Sequence, residues 1–191
     1  MVLSLLSASA GLMVGNAPTM RQQCINMAAI GDLLSSMDGP DLYWEEKGPL
    51  QNPPLEESDF KEYDKYDTFV SACQANGVDL NQPDITVFAP GNKACAEYTS
   101  TGGQLSADVC NYHIVSGVVP SSALSSADLT TKQGTAITYR RKFRKDFVDD
   151  AFTAVSNSPP RTSYKADIAA DNGVIHMINE VIFPGWAASG E

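Results

Sequence analysis

The chain has 191 residues and a net charge of −10 at pH 7, from 23 acidic and 13 basic side chains. Nucleic acids and anionic lipid surfaces are bound through an excess of Lys and Arg, so this balance excludes both as the main partner. A hydrophobic content of 43% suits one buried core with an appended arm and is too high for a disordered chain.

Residues 1–14 form an apolar run rich in Ser and Ala, too short to span a membrane. The run resembles the apolar part of a signal segment, with small residues at Gly15-Asn16-Ala17, but no basic residue precedes Arg21. Three readings stay open: a poor signal start, the end of a longer bipartite targeting sequence, or an ordered arm. No N-x-Ser/Thr sequon occurs, and Asn157-Ser158-Pro159 comes nearest. Its absence tilts the compartment toward an organelle lumen or periplasm and away from a glycosylated cell exterior.

Residues 38–67 carry prolines at 40, 49, 53 and 54 and many carboxylates. The prolines forbid a long helix or a central strand there. A solvated linker has little use for Trp44, so this arm is expected to lie along a surface of its own domain or of a partner. Residues 1–58 read as an N-terminal extension, 59–185 as the folded domain and 186–191 as a tail.

The first strong helix signal is Phe69, Val70 and Cys73, closed by Asn76-Gly77. A short β-rich run over 85–90 stops at Pro90. Asn92 is placed to cap a helix reaching Tyr98, which Gly102-Gly103 breaks. Ser106 caps a second helix, read over 106–115, with Val109, Cys110 and His113 on one face. Strands are expected over 136–143, 147–155 and 174–182. Helices first and strands after predict an α+β fold.

Cys24, Cys73, Cys95 and Cys110 show no C-x-x-C spacing, and only two histidines exist. A metal site with ordinary zinc-ligand spacing is therefore not expected. The cysteines are either buried free thiols or, in an oxidising compartment, one disulfide of undetermined pairing.

Three ordered segments carry a family resemblance. They are Thr86-Val87-Phe88-Ala89-Pro90-Gly91-Asn92-Lys93-Ala94, then Asn111-Tyr112-His113-Ile114-Val115, then residues 171–184 with Asn172-Gly173-Val174-Ile175-His176. They resemble the first motif, the Tyr-His element and the second motif of the fasciclin (FAS1) family. The resemblance covers about residues 60–185 and implies short helices packed on a β-sheet or wedge-shaped β-sandwich. Gly91 stands where the family usually has Thr, Cys95 where it has Phe, and Asn179 where it has Asp.

Physical roles follow for the motif residues Phe88, Pro90, Asn92, Tyr112, His113, Asn172, Gly173 and His176. Phe88 is a buried strand residue. His113 and His176 lie in apolar settings and are expected to be hydrogen-bonded structural residues. Asn172-Gly173 is read as a tight turn that uses the positive φ open to glycine. Val174, His176 and Ile178 should face one side of the last strand, and Ile175, Met177 and Val181 the other.

No G-x-S-x-G, P-loop, G-x-G-x-x-G or H-E-x-x-H pattern occurs. Asp149-Asp150, read as strand neighbours, would point to opposite faces and make a poor acid/base pair. No catalytic residue or metal site is expected. The densest feature is Tyr139-Arg140-Arg141-Lys142-Phe143-Arg144-Lys145. On a strand, Arg140, Lys142 and Arg144 share one face and Tyr139, Arg141 and Phe143 the other. It reads as a charge-protected edge, a docking patch for an acidic partner or a latch for the acidic arm. Asp167-Ile168 resembles an Asp-Ile pair that some adhesive family members use, but its flanks do not match and the pair also reads as part of the strand leading into the last motif.

The resemblance implies a non-catalytic interaction or adhesion module with protein partners. Two settings are open: a secreted or cell-surface adhesion protein, and a thylakoid-lumen accessory subunit docked on a membrane or photosynthetic complex. No cofactor is demanded. The alternative is carriage of an apolar ligand such as a carotenoid or lipid, in a groove lined by Tyr112, Ile114, Val118 and Met177.

Overall fold

The computed structural model describes residues 28–43, 60–142, 145–155 and 164–185. The expectations for residues 1–27, Trp44, Phe143 and Arg144 lie outside these. Among the described residues four α-helices, α1 (Ile30–Ser36), α2 (Asp67–Ala75), α3 (Asn92–Ser100) and α4 (Ala107–Tyr112), accompany nine strands. The strands are β1 (Asp41–Tyr43), β2 (Phe60–Tyr63), β3 (Ile85–Pro90), β4 (Ile114–Ser116), β5 (Tyr139–Lys142), β6 (Lys145–Val148), β7 (Ala151–Val155), β8 (Ile168–Ala170) and β9 (Gly173–Ile178). β1 and β2 make an antiparallel ribbon, and the other seven form one mixed sheet of order β4-β3-β9-β7-β6-β5, with β8 added to β9.

The parallel pair β3–β9 is the spine, and alternation along it separates two cores. Val87, Ala89, Ile175 and Met177 face the helices, where they meet Ile30, Leu34, Phe69, Cys73, Cys95 and Cys110. Phe88 and Ile178 face the other way, against Tyr112, Leu124, Leu129, Ile137, Val148 and Ala151. The sheet curls around this second core as a half-barrel, with the helices on its other side. Each fully buried Phe, Ile or Met side chain contributes about 1.5–3 kcal/mol. The α+β class and the division of β9 between faces agree with the sequence reading.

Several boundaries differ. The helix read over 106–115 ends at Tyr112, and Ile114–Ser116 is a strand paired to β3. The apolar residues Ile114 and Val115 fit either element. Sheet burial takes them, and His113 closes the helix. The strand read over 147–155 is two strands. Val148 pairs with Ala151, and Asp149 and Asp150 between them take φ of 47° and 71°. That is a two-residue hairpin turn of the type usually built from Asn-Gly. Left-handed backbone costs a non-glycine residue roughly 1–2 kcal/mol. Tertiary bonds offset this: Asp149 accepts from the Tyr112 hydroxyl at 2.6 Å and from the Thr138 amide at 2.8 Å.

Asn92 does not cap α3. It is the first helical residue, and its Oδ1 accepts from the Thr68 amide at 2.9 Å. The helix start is served by buried Asp64, whose carboxylate accepts from the Lys65 amide at 2.9 Å and lies 3.3 Å from the Lys93 amide. A Cβ at Gly91 would fall 2.1 Å from Asp64 Oδ2. The missing Thr hydroxyl is thus replaced by a carboxylate reaching in from the preceding segment.

Gly173 also differs from expectation. Its φ is not positive, and the two-residue turn before it is Asp171-Asn172, since Ala170 pairs with Gly173. Glycine is required there by close approach, because a Cβ would sit 1.8 Å from the Ile85 carbonyl oxygen.

Residues 28–43 fall in the stretch read as an extension, yet Ile30 and Leu34 are fully enclosed in the helix-side core. Asn172 ties them down: its Oδ1 accepts from the Ile30 amide, and its Nδ2 donates to the Leu80 and Gln82 carbonyls, all at 2.8 Å. Each such bond is worth about 1 kcal/mol net. Asn172→Ala should therefore lose roughly 2–3 kcal/mol in a urea unfolding titration. A midpoint unchanged from wild type would show that α1 is held by burial alone.

Candidate interaction face

The face builds up from the β5–β6 hairpin at the sheet edge. Tyr139 pairs with Val148, Arg140 with Phe147, Arg141 with Asp146, and Lys142 with Lys145. Opposed residues share a face, so Tyr139 and Arg141 lie on the face of buried Asp146 and Val148, with Arg141 itself exposed. The Tyr139 hydroxyl donates to Asp146 Oδ1 at 2.8 Å, and Arg141 Nε lies 3.7 Å from the same oxygen. Burial, and then the neighbouring Asp146 carboxylate, raises the Tyr139 phenol and keeps it a donor.

Arg140, Lys142, Lys145 and Phe147 point outward. Phe147 is opposed by Phe152 of β7, with ring centroids 5.9 Å apart. Phe152 meets Tyr164 edge-on at 5.7 Å. The Arg140 guanidinium lies 5.9 Å from the Phe147 ring centre, and the Lys145 ammonium 5.4 Å from that of Phe152. Arg140 also pairs with Asp150. The three rings are half-buried and Lys142 and Lys145 exposed. A row of aromatic rings thus lies under a row of cations. Beside Tyr164 a cleft of about 210 Å³, lined by Asp64, Lys93, Glu97, Asn179 and Glu180 among others, is mainly acidic and bounds the face.

The sequence reading found Arg140, Arg141 and Lys142 but missed Phe147, Phe152 and Tyr164. Reading Asp149-Asp150 as a turn would have set Phe147 opposite Phe152. Tyr164 is brought in by tertiary folding and has no local signal. Asp167 and Ile168 lie elsewhere. The Asp167 carboxylate accepts from the Ser121 amide at 2.7 Å and from the Ser121 hydroxyl, and Ile168 packs against the helix-side core. Of the residues expected to line an apolar groove, Tyr112 belongs to one core and Ile114 and Met177 to the other, while Val118 is 54% exposed.

His113 and His176 are both fully buried. His113 closes α4: Nδ1 donates to the Val109 carbonyl at 2.8 Å, and Nε2 accepts from the Ile182 amide at 3.2 Å. His176 does the reverse: Nε2 donates to the Val119 carbonyl at 2.8 Å, and Nδ1 accepts from the Asp167 amide at 3.3 Å. A carbonyl only accepts and an amide only donates, so both rings are neutral and of opposite tautomer. Their nitrogens are fully used, as expected of structural histidines. Cys73, Cys95 and Cys110 are buried free thiols. The hydrogen bond with Cys110, and then burial, push the Cys73 thiol up, and burial pushes Cys95 up to about 12. Cys73 and Cys95 stay protonated, while the same hydrogen bond lowers Cys110. Among the described residues no group of three or more His, Cys, Asp or Glu is arranged to hold a metal ion.

The three motif segments converge on this fold: the first is β3, the Tyr-His element closes α4, and the second is β9. The family model of the fasciclin domain matches residues 64–184. The chain belongs to the fasciclin family. A fasciclin domain is an adhesion or protein-interaction module, and such domains are generally non-catalytic. "Protein sll1483" of Synechocystis sp. is 31% identical over 109 residues, which cover 52% of this chain and 55% of that protein. The chain thus spans about half the length of that curated relative. Among solved structures, the FAS1 domain pair from the insect cell adhesion molecule Fasciclin I is 18% identical and aligns over 61% of this chain and 44% of its own, with a TM-score of 0.43. No helix among the described residues is long and apolar enough to cross a membrane.

Proposed function

We propose that this fasciclin domain is a non-catalytic docking subunit that seats an acidic protein on the outer face of β5, β6 and β7. One observation carries the reading. In a chain of net charge −10, five of thirteen basic residues fall within residues 140–145, and Arg140 and Lys145 lie over half-buried aromatic rings. Aromatic and Arg side chains are enriched at protein interfaces, and a basic patch speeds encounter with an anionic partner. The role that fits is an accessory subunit of a larger assembly. The compartment proposed is extracytoplasmic: the cell surface or exterior, or a thylakoid lumen.

Arg140 and Arg141 are engaged by Asp150 and Asp146, so reversing them would disturb the fold. Lys142 and Lys145 oppose one another, and Lys142→Glu with Lys145→Glu keeps a like-charged pair while inverting the face. Native affinity capture in low salt should retain an acidic protein on the wild-type domain. The double variant should bind it at least about tenfold more weakly at unchanged thermal stability, each exposed charge pair being worth up to about 1 kcal/mol and reversal changing its sign. Equal affinity would rule out docking through this face.

A further inference from the structure

We propose that the open edge of β5 takes up an extended acidic segment of the partner as an added strand. This rests on the docking reading above and specifies how the partner is held.

The hydrogen-bond phase of the hairpin sets which groups are free. Antiparallel pairs alternate between bonded and non-bonded. The Asp149 amide donates to the Thr138 carbonyl at 2.9 Å, which places Thr138 in the bonded series. Counting on from it, Arg140 and Lys142 bond to β6, and Tyr139 and Arg141 turn their N–H and C=O groups away from it. β5 ends the strand order; residues 129–130 bridge Ala136 and Ile137 just before it, and among the described residues no strand lies beyond Tyr139–Lys142. The edge therefore offers two donors and two acceptors at strand spacing, which is what main-chain recognition by strand addition uses.

The side chains decide what can pair there. A second copy of β5 would bring its own Arg and Lys against Arg140 and Lys142, and like charges directly opposed are destabilising. The charges that block self-pairing favour carboxylates in the same places. The added strand should carry acidic residues opposite Arg140 and Lys142 on the outer face, and an apolar residue opposite half-buried Tyr139 on the inner one. Alternating acidic and apolar residues satisfy this; a compact acidic surface does not.

The probes are two acetylated hexapeptides of equal charge, alternating Glu-Val and alternating Glu-Pro, titrated into the full chain at low salt. Proline removes every second amide and cannot complete the ladder. The Glu-Val peptide should bind about tenfold more tightly and raise hydrogen-exchange protection at the Tyr139 and Arg141 amides. Arg141→Pro removes an edge donor that faces away from β6. It should abolish the difference between the peptides, whereas Arg141→Ala should retain it. The exchange measurement on the wild-type chain stands even if Arg141→Pro folds poorly. Equal binding of both peptides without added protection overturns strand addition and leaves charge-driven docking intact. Binding of neither peptide overturns both.

Discussion

Gly173→Ala should destabilise the domain by about 3 kcal/mol or more, a fall of roughly 6–12 °C in thermal midpoint for a domain of this size. The added methyl would meet the Ile85 carbonyl oxygen at 1.8 Å. That oxygen belongs to the backbone of β3, which is paired to β9 from Ile85–Gly173 to Pro90–Ile178. Relief requires the two central strands to separate, and both cores rest on that pair. A flexible side chain would yield cheaply at such a contact; two packed backbones do not. Gly134→Ala is the control. Gly134 has φ of 105° and nothing within 4 Å of the added carbon, so only the backbone penalty of about 1–2 kcal/mol applies. Equal losses for the two variants would show that close approach at Gly173 carries no special cost.

Stability should also fall steeply as pH drops from about 6.5 toward 4. Burial pushes His113 down to about 4, and burial likewise lowers His176. In the unfolded chain both titrate near 6.5. Below that pH the unfolded state binds protons that the folded state refuses, so stability declines with falling pH and is complete above about 6.5. The fall of His113 from 6.5 to about 4 corresponds to about 3 kcal/mol by pH 4. Geometry gives the same sign. A protonated ring donates from both nitrogens, and each ring has an amide donor against one of them. Asp64 acts in the opposite sense: burial raises its pKa, so the folded state is the better proton acceptor just above 3.8 and regains part of the loss at the acid end. Urea titrations between pH 7 and 4.5 should show the decline, and His113→Leu should flatten it while lowering stability at pH 7. Midpoints independent of pH between 7 and 5 would refute the histidine account.

Much of the candidate face was open to reading from sequence, and the rest was not, for a definite reason. The basic run Arg140 to Lys145 announces itself by charge, and strand alternation correctly separates Arg140 and Lys142 from Tyr139 and Arg141. The aromatic half of the face is a product of folding. Phe147 meets Phe152 only because Asp149 and Asp150 adopt a left-handed turn, and they do so because Tyr112, from a helix 37 residues earlier, holds the Asp149 carboxylate. Such a bond has no local signature.

The same division holds through the molecule. By itself the sequence determined the α+β class, the strand that Pro90 stops, the burial of both histidines and the two faces of β9, because these follow from periodicity and from the costs of burying polar groups. Tertiary structure alone decided that Asp64 serves α3 in place of a capping side chain, that Gly173 is needed for room and not for φ, and that residues 30–37 join the core. Each depends on what another segment places a few ångströms away, and a linear pattern carries no record of that distance.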